Sequence, residues 1–302
     1  MSAGPLVTSA AVGRQPAAVR AVGGGRAARV GLTVVALVFL GVFLVAPLWA
    51  LFAEALSQGV GAYLAALGNP DTWSAVRLSL VVMVVAVPLN TVFGVAAAWA
   101  VTKHDFPGKV LLVSLIDLPF SVSPVVAGFV LILLFGRQGL LTPLLPEGFR
   151  VVFAVPGLVL ATLFVTLPMV ARELIPLMTS QGREEEQAAR VLGASGWQTL
   201  WRVTLPNVKW GLLYGVLVAS ARALGEFGAV SVVSGHIRGA TTTLPLAIEM
   251  SYNEYDFVGA FAAASLLTLV SAVTLVLKTW VEWRGGLARA RALGTGSMGD
   301  GH

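Results

Sequence analysis

Six long apolar runs divide the chain, and each is close to the length that a helix needs to cross a bilayer. They cover residues 30–53, 78–101, 110–135, 151–171, 210–233 and 257–280. About 20 apolar residues in a helix span the hydrocarbon core, where every backbone donor and acceptor must bond within its own segment. None of the runs alternates apolar and polar residues as the strands of a membrane barrel do. The pattern predicts an all-α integral membrane protein with six transmembrane helices.

The composition supports this class. Hydrophobic residues make up 57% of the chain and charged residues 12%, with a mean hydropathy of +0.84, whereas about a quarter of the residues in soluble domains carry charge. A cleaved signal peptide has an apolar region of only about 7 to 15 residues. The first run is longer, so we expect it to remain as a membrane anchor.

The positions of lysine and arginine predict the topology. Six spans place both termini on one side, and the basic residues of the short connections concentrate on the cytoplasmic side. Only Arg77, Arg137, Arg150 and Arg238 lie in connections on the opposite side, so both termini are predicted to be cytoplasmic. We expect a flexible basic cytoplasmic tail at 1–29, a transmembrane domain at 30–284 and a cytoplasmic tail at 285–302; a targeting role for the first tail stays open.

The most polar segment is a predicted cytoplasmic loop at 182–208, between the fourth and fifth runs. Three glutamates at 184–186 would lie in the first turn of a helix, where negative charge complements the helix dipole. This helix is predicted to run to Leu192. Gly193 is then placed to adopt the left-handed conformation that ends many helices.

A second short helix is predicted directly after this glycine. Ser195 and Gln198 have the spacing of a capping box, in which each side chain bonds the backbone of the other residue. Pro206 is expected to close this helix before the fifth span. Ala188 and Ala189 give the first helix a small, close-packing surface that suits insertion into a groove of another protein.

The loop resembles the cytoplasmic "EAA" loop of importer-type ABC transporter permeases. That motif has an acidic residue, two alanines, three residues, glycine, nine residues, an aliphatic residue, one residue and Leu-Pro, and the matching positions are Gln187, Ala188, Ala189, Gly193, Val203, Leu205 and Pro206. Gln187 departs from the usual glutamate, and the neighbouring Glu186 could supply the missing charge. The resemblance implies a coupling-helix loop that docks a cytoplasmic ATPase; the alternative is an amphipathic hairpin on the membrane surface without a partner.

A second resemblance narrows the family. Residues 222–239, and the segment 183–255 as a whole, are similar to the sulfate/thiosulfate and molybdate branch of these permeases, and most similar to a permease of the sulfate/thiosulfate importer. The resemblance implies the bacterial inner membrane as location. It also implies a heterodimer with a sister permease, two cytoplasmic ATPase subunits that bind ATP and Mg²⁺, and a periplasmic sulfate-binding protein. Membrane lipid is the other expected contact, and no nucleic acid is expected.

Several kinds of chemistry are not expected of this chain. Cysteine is absent and the three histidines are far apart in sequence, so the chain offers no predicted metal site, disulfide or redox site. No G-x-x-x-x-G-K-[ST] loop for nucleotide phosphates occurs. We therefore expect no catalytic residues and no cofactor on this chain, and ATP would have to be bound by another subunit.

The fifth and third runs contain candidates for a translocation path. Arg222 and Glu226 are four residues apart, so on one helix they share a face and can pair, and ionisable groups at membrane depth usually face a protein interior or a water-filled path. Ser121 and Ser123 lie between two prolines that should kink the third run. Their hydroxyls could contact an oxyanion or bond their own helix, and the pair 222/226 could equally be structural. Asp117 is expected near a helix end or beside a cation.

The sequence also allows three other functions. The substrate could be molybdate or tungstate, or the chain could be an ATPase-independent secondary anion transporter. A membrane enzyme is the third alternative, although no set of catalytic groups converges in the sequence. The large predicted external loop at 234–256 should contain a short interfacial helix at 244–251, which could lie beneath a binding protein or act as a gate without one.

Overall fold

The computed structural model describes the backbone of residues 26–296 and the side chains of residues 30–285. Within these ranges the structure is helical and contains no strand, which confirms the predicted all-α class. The helices are α1 (Arg26–Leu40), α2 (Ala46–Ala55), α3 (Val60–Leu67), α4 (Pro70–Lys103), α5 (Lys109–Ser121), α6 (Pro124–Phe135), α7 (Val155–Ser180), α8 (Glu184–Val191), α9 (Gly196–Thr199), α10 (Leu205–Leu224), α11 (Gly228–Ser234), α12 (Leu244–Asn253) and α13 (Phe257–Gly296). Two π-helical turns, Gly41–Val45 and Leu200–Thr204, join α1 to α2 and α9 to α10.

The chain divides into two compact units at Ala50. In the first unit the side chains are described from residue 30 to residue 50; they are largely apolar and, apart from Gly41, these positions are exposed, with Phe39 and Phe43 stacked at 4.6 Å between ring centroids. The second unit begins at Leu51 and contains every candidate functional residue.

Four described helical segments are long and apolar enough to cross a membrane: Val30–Ala55, Pro70–Lys103, Val155–Ser180 and Phe257–Gly285. Two further pairs qualify only if each bent pair is counted as one span. The first pair, α5 and α6, is bent by 107°. The second pair, the helical segment Gly196–Leu224 and α11, is bent by 49°. The described residues thus contain four to six candidate spans, and the predicted number of six is reached if each bent pair is one broken span.

Several helix boundaries differ from the apolar runs. The second span begins at Pro70 because the Asn69 side chain caps it, accepting a hydrogen bond from the Asp71 backbone N–H at 2.9 Å. The fourth span continues to Ser180, nine residues beyond its apolar run.

The predicted tails are helical where the structure describes them. Helix α1 begins within residues 1–29, at Arg26, and α13 extends into residues 285–302 as far as Gly296. The rest of both predicted tails, at 1–25 and 297–302, lies outside the described residues.

Helix α7 forms the centre of the second unit, packed between α4 and α10. Small residues allow the close approach: a Cβ on Gly94 of α4 would lie only 2.8 Å from the Cβ of Val170 on α7. The buried Asn90 side chain donates to the Leu163 carbonyl at 3.0 Å and to the Thr166 hydroxyl at 2.7 Å. These contacts hold α4 and α7 together.

Candidate functional site

The first candidate site is the 182–208 loop after α7, and its first helix forms as the sequence predicts. Three glutamates occupy the first turn of α8. Gly193 has a φ of +88°, and the backbone N–H groups of Gly193 and Ala194 donate to the Arg190 and Ala189 carbonyls. This is the Schellman arrangement, which satisfies the free carbonyls at the end of a helix. The predicted glycine stop is confirmed.

The second helix of the loop begins as predicted but does not end as predicted. Ser195 and Gln198 form both hydrogen bonds of the capping box. Pro206 does not close the helix, because the π turn carries it onward: the Leu205 N–H donates to the Leu200 carbonyl, five residues back. The wider turn accommodates a proline without an N–H donor. Residues 196–224 therefore form one continuous helix that carries the loop directly into the fifth span.

Glu186 is buried at the base of this loop. It is 7% exposed, and its Oε1 lies 3.1 Å from the Nζ of Lys103 and accepts a hydrogen bond from the Thr204 hydroxyl at 2.6 Å. The Oε1 of Glu186 is therefore paired within the protein, and a role of this residue in replacing the charge missing at Gln187 stays a prediction. Gln187 itself is exposed.

The other motif residues divide between the surface and the base of the loop. Ala188 and Pro206 are exposed, whereas Ala189, Val203 and Leu205 are half-buried. The tip beside Gly193 exposes a run of large apolar side chains, with Val191 at 87% and Leu192 at 88% exposure, next to the edge-to-face pair of Trp197 and Trp201. An exposed apolar surface at a loop tip is typical of a protein contact.

The second candidate site lies where the two broken spans meet. The break in the third span falls at Val122 and Ser123, between the two prolines. Ser121 ends α5 directly before the break, and both Ser121 and Ser123 are exposed. The α11 segment of the fifth span packs here, since a Cβ on Gly228 would lie 3.0 Å from the Cβ of Pro124. The predicted kink is therefore a complete break. The fold brings the 121–123 segment close to the break in the fifth span.

The predicted pair of Arg222 and Glu226 is present, with 2.7 Å between Nη1 of the arginine and Oε2 of the glutamate. The two residues do not share one helix, because α10 ends at Leu224 and Glu226 lies in the break. Glu226 is buried there, and its Oε1 accepts a hydrogen bond from the Ala229 backbone N–H at 2.9 Å. It therefore caps α11 and holds the half-buried guanidinium of Arg222 at the break.

Arg172 forms a second charged contact. The fourth apolar run ends at residue 171, which predicted Arg172 in the following connection, but α7 continues past it to Ser180. Its Nε donates to Asp117 at 2.7 Å, and its guanidinium carbon lies 4.8 Å from the centroid of the Phe120 ring. The expectation that Asp117 pairs with a cation is confirmed.

An ionic cluster in the 235–256 region was not predicted. Arg238 hydrogen-bonds the Glu254 carboxylate, which raises the pKa of the guanidinium, and its Nη1 lies 3.4 Å from Asp71 at the start of α4. The Nε2 of His236 lies 3.4 Å from Oε2 of Glu249 on α12. Helix α12 forms where a short helix was expected. No pattern in the sequence relates Arg238 to Asp71, because the contact joins distant parts of the chain.

Comparisons with known proteins agree with this architecture. The chain is 50% identical over 260 residues to the sulfate transport system permease protein CysW of Synechocystis, covering 86% of this chain and 94% of that protein. It is 37% identical to the CysT permease of the sulfate transport system of Synechococcus elongatus, covering 82% and 89%. A solved bacterial alginate ABC transporter in complex with its periplasmic protein has a chain of the same fold, with a TM-score of 0.72, 14% identity and coverage of 85% and 94%.

A family model also matches, over residues 90–284, which include the loop, both broken spans and the sixth span. This range contains almost all of the candidate residues described above. The chain belongs to the family of binding-protein-dependent transport system inner membrane components.

Proposed function

We propose that this chain is the CysW-type membrane subunit of an ATP-driven importer of sulfate and thiosulfate. The observation that carries the proposal is the 50% identity, over most of both chains, to a sulfate transport permease. The broken spans support it, because interrupted helices at membrane depth are tolerated where they line a cavity or pack within protein. The molybdate alternative has no comparable support.

The proposed complex contains this chain, a CysT-type sister permease, two ATPase subunits and a periplasmic sulfate-binding protein. The lower identity to a CysT permease supports a related but different second subunit. The complex would lie in the bacterial inner membrane, with both termini of this chain in the cytoplasm. The chain has no phosphate-binding loop, so ATP and Mg²⁺ would be bound by the ATPase.

We place the ATPase contact at the exposed tip of the 182–208 loop. Val191, Leu192 and Trp197 offer an apolar surface, and the small side chains of Ala188 and Ala189 allow a close approach to a groove. Gln187, exposed at the motif's acidic position, would contribute a neutral hydrogen bond in place of a charged one. Closure of the ATPase dimer would move α8 and turn the path outward, which requires ATPase contacts that differ between the two states.

We place the anion path at the junction of the two broken spans. The guanidinium of Arg222 supplies positive charge and planar hydrogen-bond donors suited to an oxyanion. Glu226 fixes it through the 2.7 Å ion pair, and Ser121 and Ser123 lie beside the same junction. Because the arginine is already paired, its attraction for a dianion is moderated, which favours release as well as entry.

The test is uptake of labelled sulfate by proteoliposomes that contain all four proteins. We expect uptake that requires ATP, is lost with a catalytically inactive ATPase, and is only weakly inhibited by excess molybdate. Preferential molybdate uptake would overturn the substrate, and uptake that is independent of ATP would overturn the class of transporter.

The docking surface can be tested with two matched leucines. Leu192 at the loop tip is 88% exposed, and Leu140, in the connection after α6, is 80% exposed. We expect Leu192→Asp to abolish copurification of the ATPase and sulfate uptake, because a charge would enter an apolar contact. Leu140→Asp should leave both unchanged. Equal behaviour of the two variants would contradict docking at this tip.

A further inference from the structure

Lys103 is a buried cation whose surroundings are not explained by ATPase docking alone. It ends α4 and is only 8% exposed. Its Nζ lies 3.1 Å from Glu186 Oε1 and donates to the Gly182 carbonyl at 2.5 Å. A lysine is rarely buried unless its charge is paired. The charge of Lys103 is therefore held at the base of the 182–208 loop by the Glu186 carboxylate and the Gly182 carbonyl.

The same carboxylate oxygen also binds the start of the fifth span. Thr204, in the π turn before α10, donates its hydroxyl to Glu186 Oε1 at 2.6 Å and is itself buried. One glutamate on α8 thus joins the last turn of α4 to the first turns of the fifth span. Lys103, Glu186 and Thr204 are buried, and with the carbonyl of Gly182 they form a cluster that we name the Lys103 cluster.

The Lys103 cluster joins two helices that the backbone does not join directly. Helix α8 follows α7 and precedes α10 in sequence, so movement of α8 reaches those two helices through the backbone. It is not adjacent in sequence to α4. The Lys103–Glu186 pair supplies a direct buried connection from α8 to the end of α4.

We propose that the Lys103–Glu186 pair is a positioning element that transmits movement of the ATPase-docked helix α8 to the second span. This inference rests on the proposed function. Separating a buried ion pair leaves two charges without compensation, so the pair resists opening and moves as one body with α8. An exposed pair would exchange its partners for water instead.

The chain contains no cysteine, so introduced cysteines are its only thiols and can be crosslinked selectively. The variant Lys103→Cys with Glu186→Cys removes the tie, and a short thiol-specific bifunctional crosslinker restores a covalent one. The readout is the number of sulfate ions imported per ATP hydrolysed in proteoliposomes of the full complex. Copurification of the ATPase is measured alongside.

We expect ATP hydrolysis and assembly to persist in the reduced double variant, while the import ratio falls about fivefold or more, and crosslinking should return it to within about twofold of the wild type. The matched control is Lys109→Ala, which removes the exposed pair of Lys109 Nζ and Asp105 Oδ1, 3.4 Å apart at the same connection, and leaves the contact of Asp105 with Arg183 in place. It should leave the ratio unchanged. An unchanged ratio in the assembled double variant, or a lowered ratio that crosslinking does not raise, overturns the inference.

Glu186→Asp gives a second test if the cysteine variant does not assemble. It preserves the charge but shortens the side chain by one methylene, so we expect a lower import ratio with normal assembly. An assembled Glu186→Asp complex with the wild-type ratio overturns the inference. Failure of the proposed function is distinguishable, since it appears as absence of ATP-dependent sulfate uptake by the wild-type complex itself.

Discussion

Helix α4 is tied at both of its ends by an ion pair to a loop between spans, but the two pairs lie in opposite environments. At its last turn, Lys103 and Glu186 are both buried. At its first turn, Asp71 meets Arg238, and both side chains are about half exposed. The difference indicates that one end of the helix is held firmly and the other is held loosely.

Solvation explains the contrast. Water competes with an exposed ion pair and replaces it when it opens, so such a pair contributes about 0 to 1 kcal/mol. A buried pair that loses one partner leaves a charge in the interior, which costs about 3 to 5 kcal/mol. The pair of Arg222 and Glu226 is intermediate, with the glutamate buried and the arginine partly exposed.

The largest expected effect is on the buried end of α4. Glu186→Ala leaves Lys103 without a counter-charge, and we expect destabilisation of the second unit by about 3 to 5 kcal/mol. Thermal unfolding of the purified permease heterodimer in detergent measures it. Restoration of stability by adding Lys103→Met would show that the uncompensated charge is the cause. A loss below about 1 kcal/mol for Glu186→Ala would contradict the burial contrast.

The intermediate pair should show its effect in transport rather than in folding. Arg222→Lys keeps the charge but loses the planar guanidinium, and we expect sulfate uptake to fall about tenfold, corresponding to about 1.4 kcal/mol in the barrier. Assembly should remain normal, as measured by copurification of the sister permease and ATPase. If uptake and assembly are both unaffected, the guanidinium has no geometric role in the path.

A smaller effect is expected at the loosely held end of α4. Arg238→Ala should lower the stability by less than about 1 kcal/mol, because its partners Asp71 and Glu254 are well hydrated. The difference from the wild type should shrink further as salt is added. Melting temperatures at low and high ionic strength measure both effects, and a loss as large as that of Glu186→Ala would remove the contrast between the two ends.

The smallest effect is expected at Asp105. A hydrogen bond from Lys109 and the charge of Arg183 lower the pKa of this exposed carboxyl below its ordinary value of 3.8. A carboxyl with a lowered pKa in the folded state stabilises that state above the ordinary value, and the contribution is lost as the pH falls through the lowered one. We expect Asp105→Asn to melt slightly below the wild type at neutral pH and equally at strongly acidic pH, as long as both variants stay folded. A difference in melting temperature that grows as the pH falls would contradict the prediction.

The sequence was most informative where structure depends on neighbouring residues. The glycine stop at Gly193 and the capping box of Ser195 and Gln198 form as predicted, since both are made by hydrogen bonds between residues a few positions apart. The apolar runs predicted the spanning helices, because the bilayer requires long uncharged segments. The motif spacing predicted the permease family, which the family match confirms.

The ends and breaks of helices were less predictable. Pro119 and Pro124 indicated a kink, and the structure has a 107° turn there, beside which Gly228 packs against Pro124. Pro206 looked like a helix end, and the π turn before it removed the need for one. In each case the local signal of a proline allowed more than one geometry.

By itself, the sequence determined that this is an all-α membrane protein of the importer permease family, with a polar loop built from two capped helices. Only the tertiary structure decided that Glu186 is buried against Lys103, and that both broken spans meet at one junction. The physical reason is the range of the interactions. Hydropathy and capping act within a segment, whereas the burial of a charge depends on residues that only folding brings together.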